Sequence, residues 1–425
     1  MRDSECDEMD LRSYRKALPR VHVSIDILIL ILVSVSLFDF TPFAPVFSGN
    51  GTYTFYMLAV AVIYIRNLGF QIRYGIFPKL KPMWWILAGI LISFIPAYLY
   101  YGQHLYHSIV VYRQFAGYLV YPVLLSIRPT DTEIKRALYI FSFIYFIALL
   151  WGTFIHPDWV VVSEGSDFMD SGDLTHRLPG DQFLAPALIY ALNDFRNRKN
   201  KVKWALLSLF IFLVIFLIQS RTMLLAAVAV IVFVVLFEKK ASRRLAAEVI
   251  IGLFFAMFIL AAFTYVSSLF EETVGNLTNP EYNRVKAFGY FVSGVNGWPS
   301  YLWGNGFVSG HVHPIVEQLQ MEGIYHSDLG LIGFWHQFGI IPTLTVLVYV
   351  IRGLFRNHSY VVRANALFIL VSAMTIAYFL NVRYSLWLCL YFYLFYSDAE
   401  FYAAKKQKER LRERQHIRRY HSIVR

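Results

Sequence analysis

The sequence contains little cysteine and little charge for its length. Of 425 residues, two are cysteines and 16% are charged, whereas 57% are hydrophobic. The mean hydropathy is +0.49. A water-soluble domain of this size has an apolar fraction nearer ~45–50%, so the composition excludes that class and favours an integral membrane protein. Cys6 and Cys389 fall in the N-terminal segment and in the last apolar run, so no structural disulfide is predicted.

A cleavable signal peptide is also not indicated. Acidic residues are mixed with basic ones before the first apolar run, and no small-residue cleavage site follows that run. We therefore expect the first apolar segment to remain as an anchor.

Long apolar runs dominate what the sequence does contain. A helix needs about 20 apolar residues, with a range of ~17–25, to cross a hydrocarbon core. Twelve runs are candidates, and several are short. They lie at about 21–38, 53–65, 83–101, 107–127, 137–155, 181–195, 204–219, 223–237, 247–266, 340–355, 364–380 and 384–397. The sequence predicts an all-α membrane protein with about twelve transmembrane helices.

The positions of lysine and arginine predict the orientation of these helices. Basic groups occur before the first run and then in alternate connections, and basic connections remain cytoplasmic during insertion. Both termini are therefore predicted to be cytoplasmic. The net charge of +11 comes mainly from the basic groups that set this topology. The basic tail is expected to lie against anionic membrane lipids. Nucleic-acid binding is not predicted.

Five segments follow from this assignment. Residues 1–20 form a cytoplasmic N-terminus, 21–266 form nine spans, and 267–339 form one large outer loop that carries a catalytic histidine. Residues 340–397 form three more spans, and 398–425 form the cytoplasmic tail. The loop carries many aromatic residues, which favours an ordered structure, although an aromatic belt at the lipid headgroups is an alternative.

A few cations remain outside the basic connections. They are Arg113, Arg177, Arg221, Arg284, Lys286 and Arg383. A charge in or near the apolar layer is costly, and the arginine fork binds phosphate oxygens in a bidentate way. These arginines suggest a lipid phosphate or pyrophosphate ligand near the outer leaflet. The alternative is that they reach the headgroups or pair with carboxylates such as Asp181 or Asp328.

His326 is the main candidate for acid–base chemistry. It lies where a polar loop becomes an apolar helix, and Asp328 or another carboxylate is a candidate to orient its ring. A capping or interfacial role is the alternative. His311 and His313 are weak candidates for a metal site because no third ligand is evident, so no metal and no cofactor are predicted.

Three motifs at these positions resemble the O-antigen ligase and O-antigen polymerase superfamily of bacterial membrane glycosyltransferases. The first is Ser220-Arg221 between two short spans, and the second is Asn283-Arg284 early in the large loop, followed by Gly304-Asn305-Gly306. The third is His326-Ser327-Asp328, which precedes Gly339-Ile340-Ile341-Pro342. The resemblance rests on the order of the motifs along the chain and on the side of the membrane predicted for each of them. It covers residues 204–350 specifically.

The resemblance implies a GT-C-like fold with one large periplasmic loop, and glycosyl transfer on the outer face of the bacterial plasma (inner) membrane. The donor would be a polyprenyl diphosphate-linked oligosaccharide, and the acceptor a glycan hydroxyl. Arg221 and Arg284, joined by Arg113 and Arg383, would bind the donor diphosphate, and His326 would activate the acceptor. Ser220, Asp328 and Arg177 would support the site. The reaction is expected to be inverting and independent of metal, with a chain-length regulator as a further partner.

Alternatives remain within and outside this superfamily. The Ser-Asp pair after His326 resembles O-antigen and exopolysaccharide polymerases, whereas ligases, which transfer the glycan to a lipid A core, more often have asparagine there. A transporter or flippase of the same lipid-linked glycan is the alternative of another class. Such a protein is expected to contain internal repeats, and none is evident.

Overall fold

The computed structural model describes residues 21–39, 50–67, 81–156, 178–197, 200–218, 221–236, 283–293, 296–308, 312–322, 324, 326–356, 359–373 and 384–398. Every regular element in these ranges is a helix. The α-helices in chain order are α1 (Val21–Ser34), α2 (Asn50–Arg66), α3 (Lys81–Ile92), α4 (Phe94–Tyr101), α5 (Leu105–Tyr112), α6 (Val120–Ile127), α7 (Asp131–Leu150), α8 (Leu184–Asn197), α9 (Lys201–Leu217), α10 (Arg221–Leu236), α11 (Asn283–Ser293), α12 (Trp298–Trp303), α13 (Ile315–Met321), α14 (Gly330–Phe338), α15 (Ile340–Arg356), α16 (Tyr360–Ser372) and α17 (384–398).

Two of the described helical segments are long and apolar enough, by length and composition, to cross a membrane. They are Pro82–Tyr101, with 20 residues, and Asp131–Ile155, with 25 residues. Leu105–Tyr112 and Phe115–Ile127 make a third when the 65° bend between them is taken as a break within one span. Helices lie at each predicted span except 247–266, which is outside the described residues. The count of twelve spans stays a prediction.

Several helices turn an apolar face away from the protein. Leu91, Ile95 and Leu99 recur at helical spacing along α3 and α4, and all three are exposed. On α15, Leu344 and Val348 are exposed while Val346 and Val350 are buried. Soluble proteins rarely expose contiguous apolar faces of this kind, so these helices are compatible with insertion into a membrane.

Helix α8 lies at the centre of the bundle. It packs against α7, α9, α10 and α16, and its residues from Leu184 to Leu192 are buried on every side. Ala185, Ala187 and Ala191 are among them, and such small side chains allow neighbouring helices to approach closely.

Ion pairs mark one end of this bundle, which we call the basic end. Arg66 at the end of α2 pairs with Asp26 in α1, and the Lys135 Nζ of α7 lies 2.7 Å from the Asp194 Oδ2 of α8. Arg196, two residues further along α8, packs its guanidinium over the ring of Tyr360, 5.2 Å from the centroid. Residues from groups that the sequence assigns to cytoplasmic connections thus lie together.

The segment 267–339, which the sequence predicts to be one large outer loop, contains helices α11 to α14 among its described residues. Within its described residues, α11 and α13 enclose a small apolar core that is separate from the main one. The core consists of Ala287, Phe291, Leu319, Ile324 and Leu329. These parts of the loop are therefore folded, as its aromatic content predicts.

Candidate functional site

His326 begins a single helical turn, His326–Leu329, that leads directly into α14. Helix α11 packs against both this turn and α14. The His326 side chain is partly buried. The histidine is thus held between two helices of the loop region, at the entrance to the apolar segment that follows.

A second histidine and a phenylalanine complete an aromatic cluster around His326. The centroid of the Phe291 ring lies 4.5 Å from that of His326 and 4.9 Å from that of His336. The two imidazoles are 5.4 Å apart and inclined at 44°. Phe291 is fully buried and His336 is 3% exposed, so the cluster is closed to bulk water on that side.

This environment changes the protonation of His326. Burial, and then the neighbouring His336, hold the pKa of His326 well below the ordinary histidine value of 6.5. The imidazole is therefore neutral at neutral pH and has one nitrogen with a free lone pair. A neutral imidazole is the form that accepts a proton, and an anionic ligand beside it raises its pKa.

Tyr290 extends the cluster toward the surface. Its ring centroid is 5.9 Å from that of His336 and its side chain is partly buried. Burial raises the pKa of Tyr290 to about 12, and Tyr101 and Glu322 are close enough to contribute. The hydroxyl therefore stays protonated and can donate a hydrogen bond to a ligand.

The Gly304-Asn305-Gly306 segment docks on the last turn of α14. The carbonyls of a helix C-terminus lack partners within the helix. Here the Asn305 N–H donates to the His336 oxygen at 2.8 Å, and the Gly306 N–H donates to the Gln337 oxygen at 3.0 Å. Gly304 has a φ of +81° and leaves no room for a β-carbon against the Gln337 carbonyl. This glycine motif therefore has a structural explanation that needs no nucleotide.

Arg221 begins α10, and its backbone lies at the same end of the bundle as His326. Phe233 near the end of α10 stacks on Tyr360 at the start of α16, with ring centroids 6.3 Å apart, so the two packed helices run antiparallel. The start of α10 is thus beside the end of α16. There the Leu331 N–H, at the start of α14, donates to the Ala373 oxygen at 2.8 Å. Positions 221 and 326 are both opposite the basic end.

Arg284 lies in the first turn of α11, the helix that packs on the histidine turn. Positions 284 and 291 are seven residues apart, which places them on the same face of the helix and about 10 Å apart along its axis. Position 284 is therefore on the face of α11 that contacts His326 through Phe291.

Arg113 is exposed, and its guanidinium packs over the ring of Tyr53 at 5.0 Å from the centroid. It follows Tyr112, whose ring is 6.0 Å from that of Phe338 at the end of α14. Ser220, Arg177, Arg383 and His311 lie outside the described residues, and for Asp328 only the backbone is described. The roles assigned to these residues stay predictions.

His313 is engaged locally. Its Nδ1 accepts a hydrogen bond from the Ile315 N–H at 3.2 Å, and its ring contacts Tyr101. Across the described ranges, no group of three or more histidine, cysteine, aspartate or glutamate side chains is placed to hold a metal.

The sequence alone does not single out His336. It lies ten residues after His326 in a helix that otherwise reads as apolar, and this spacing would not place two residues on one face of a continuous helix. The separate turn at His326–Leu329 brings the two rings together. A sequence feature that could have pointed to the pair is the presence of one histidine before and one after the glycine-containing start of α14.

No family model matches the chain, and no curated protein matches it.

Proposed function

We propose that the protein is a polysaccharide polymerase of the O-antigen or exopolysaccharide type, an inverting GT-C-like glycosyltransferase. It would transfer glycan from a polyprenyl diphosphate-linked donor to an acceptor glycan hydroxyl. The observation that carries this proposal is the position of the partly buried His326 imidazole, held at the end of the bundle where α10 begins.

In this reaction His326 is the base. Its lone pair takes the proton of the acceptor hydroxyl while that oxygen attacks the anomeric carbon of the donor. The bond from the anomeric carbon to the diphosphate oxygen breaks, and its electron pair leaves with the diphosphate. One direct displacement inverts the anomeric configuration. The proton then passes from His326 to water, which restores the neutral imidazole.

Arg221 and Arg284 would stabilise the leaving diphosphate. Position 284 lies on the α11 face that contacts His326, and position 221 lies at the same end of the bundle. Guanidinium groups placed there neutralise charge that grows in the transition state without a metal. Arg113 and Arg383 are further diphosphate ligands in this proposal.

The proposed setting is the bacterial plasma membrane, with about twelve spans, both termini in the cytoplasm and the basic end facing the cytoplasm. The ion pairs Arg66–Asp26 and Lys135–Asp194 at one end support this orientation, because both cations belong to groups predicted to be cytoplasmic. His326 is then on the outer face, where a flipped lipid-linked donor is accessible.

The deciding experiment uses purified protein in detergent with lipid-linked repeat units. Wild-type protein and the His104→Ala variant should elongate the units, since His104 is exposed and lies outside the cluster. His326→Ala and His326→Gln should insert normally and bind donor but should not elongate it, because neither alanine nor glutamine takes up a proton at working pH. Elongation by either variant at the wild-type rate would remove His326 from the mechanism.

A deletion strain separates the related functions. Surface glycan with one repeat unit on the acceptor lipid indicates a polymerase, and acceptor lipid with no unit indicates a ligase. Wild-type protein that moves lipid-linked glycan across vesicles but never elongates it would indicate a flippase.

A further inference from the structure

We infer that α5 lies nearly flat in the outer leaflet of the membrane, with its apolar side among the lipids and with Arg113, at its end, on the phosphate of a lipid. The span that the sequence predicts at 107–127 then begins at Arg113 rather than within α5. The inference deepens the role proposed for Arg113, because the diphosphate of a lipid-linked donor lies at the same level of the membrane. It rests on the proposed function for that step and on the proposed orientation for the choice of leaflet.

One side of α5 is exposed and apolar. Its members recur at helical spacing and are Leu105, Tyr106, Ile109 and Val110. The other side, with Ser108 and Tyr112, is buried against the protein. An exposed apolar surface of this kind marks a contact with a membrane or with another protein.

The exposed side of α5 continues the exposed side of the preceding helix. Ile95 and Leu99 are exposed on α4, which belongs to the segment Pro82–Tyr101 that is long and apolar enough to cross a membrane. The chain turns at Gly102, where φ is +66°, and α5 packs against α4. The lipid that surrounds α4 is therefore also adjacent to α5, which favours lipid over a protein partner.

The direction of α5 differs from that of the helix that follows it. The axes of Leu105–Tyr112 and Phe115–Ile127 are inclined at 65°. Helix α6 is buried along nearly its whole length, so it runs through the interior of the bundle. A helix inclined at this angle to a membrane-crossing helix advances through the layer by only about 0.6 Å per residue instead of 1.5 Å. Helix α5 therefore stays close to one level of the membrane.

The segment after α5 is still long enough to cross the membrane. Arg113–Leu119 is a 3₁₀-helix of seven residues, and it leads into the eight residues of α6. Because a 3₁₀-helix rises ~2.0 Å per residue, the two parts together measure about 26 Å, against ~30 Å for a hydrocarbon core. The same residues in a continuous α-helix would measure only about 22 Å. Arg113 and Arg128 are then at opposite surfaces of the membrane.

Arg113 has the chemistry that the headgroup level requires. A cation inside the apolar layer is costly, whereas a guanidinium at the surface can donate two hydrogen bonds to phosphate oxygens. Arg113 is exposed, and its guanidinium packs over the ring of Tyr53 in α2, 5.0 Å from the centroid. This contact holds the guanidinium at the point where α5 ends and the crossing begins.

The first test measures depth in nanodiscs of phosphatidylglycerol and phosphatidylethanolamine. Single nitroxide labels are attached in a Cys6→Ser background, since Cys389 is buried. The labelled variants are Leu105→Cys and Ile109→Cys in α5, with Ile95→Cys and Leu99→Cys in α4 as the matched pair. The depth of each label is obtained from its collisions with oxygen and with a water-soluble nickel complex.

Both pairs are four residues apart, which is about 6 Å along a helix axis. The two labels on α4 should differ in depth by nearly that amount. The two labels on α5 should differ by only about 2–3 Å, because that helix is steeply inclined to the crossing direction. A difference on α5 as large as the difference on α4 would overturn the inference.

The second test concerns the phosphate. Two photoreactive lipids with identical acyl chains are compared in the same nanodiscs: phosphatidylglycerol and a galactosyl diacylglycerol, which has no phosphate. Labelled peptides are identified by mass spectrometry. Both lipids should label α5, and phosphatidylglycerol should do so several-fold more. Arg113→Gln should remove this preference, while α4 should be labelled equally by the two lipids in both proteins.

Two results of this test would contradict the inference. Equal labelling of α5 by the two lipids in the wild-type protein would exclude Arg113 as a ligand of lipid phosphate. Absence of labelling from α5, with normal labelling of α4, would mean that another protein chain covers the exposed side of α5.

Neither test requires glycan transfer, so the inference and the proposed function can fail separately. A flat α5 with a phosphate preference, in a protein that elongates no lipid-linked glycan, would support the inference and reject the polymerase. Elongation by a protein whose α5 crosses the membrane steeply would support the polymerase and reject the inference.

Discussion

Gly333 lies directly against the backbone carbonyl oxygen of His326, so close that a β-carbon at residue 333 would overlap that oxygen. The first turn of α14 thus supports the backbone that carries the candidate base. The glycine allows the helix to contact the histidine turn without an intervening side chain.

We therefore expect Gly333→Ala to displace His326 and to reduce transfer by at least about tenfold, because small misplacements of catalytic groups have large effects on rate. Gly289→Ala is the matched control. Gly289 lies in α11 and faces open space, so alanine there should preserve transfer and stabilise the helix by ~0.5–1 kcal/mol. Transfer rate and thermal unfolding in detergent measure both effects. Wild-type transfer by Gly333→Ala would show that the turn adjusts freely.

Arg221→Lys should be nearly as damaging as Arg221→Ala. A lysine keeps the charge but cannot donate two parallel hydrogen bonds to a phosphate. Arg136→Lys, an exposed substitution in the first part of α7 near the basic end, should retain normal glycan display. Protein level and surface glycan report the outcome. Normal display from Arg221→Lys at normal protein level would contradict a role in binding diphosphate.

Stability should decrease when the pH falls below about 6.5. The folded pKa of His326 is lower than the ~6.5 of a histidine in the unfolded chain, so the unfolded state binds more protons in that range. The free energy of unfolding therefore falls with decreasing pH until the folded pKa is reached, and above 6.5 this contribution is constant. The unfolding temperature is measured at pH 7.5 and at pH 5.5. The drop in unfolding temperature between the two should be smaller for His326→Gln than for wild type or His104→Gln. Equal differences in all three proteins would contradict the lowered pKa.

Transfer is expected to survive a strong chelator, because the arginines can neutralise the leaving diphosphate. The measurement is elongation of lipid-linked units with and without chelator. The acidic connection 156–180 offers the competing explanation, since its four aspartates and Glu164 suit a divalent cation. Loss of elongation that added magnesium or manganese restores would assign these carboxylates to a metal site.

The sequence predicts the helices well because membrane helices have a simple signal. Apolar runs give the positions of α1, α7 and α15, and Thr130 with Glu133 forms a capping box that starts α7. Charge placement also anticipates the basic end, where Lys135 meets Asp194. The helices of the loop are less predictable, since α12 has only six residues and its exposed aromatic residues show no apolar period.

The candidate site is predictable only in part. His326 is visible in the sequence because it marks a change from polar to apolar residues. His336 and Phe291 are not, because only the packing of α11 against α14 brings positions 291, 326 and 336 together. The docking of Asn305 on α14 likewise depends on contacts between distant residues, and no local propensity encodes it.

The hydrogen bond from Gln103 Nε2 to the Phe307 oxygen, 3.0 Å long, joins residues separated by 204 positions in the chain. The Phe307 N–H in turn donates to the Tyr112 hydroxyl of α5 at 3.1 Å, and the Tyr112 ring also contacts Phe338. During synthesis, the loop therefore has no complete docking surface until the ribosome has passed the end of α14. His326, in the turn that leads into α14, therefore reaches its folded surroundings only after the chain through α14 has been made.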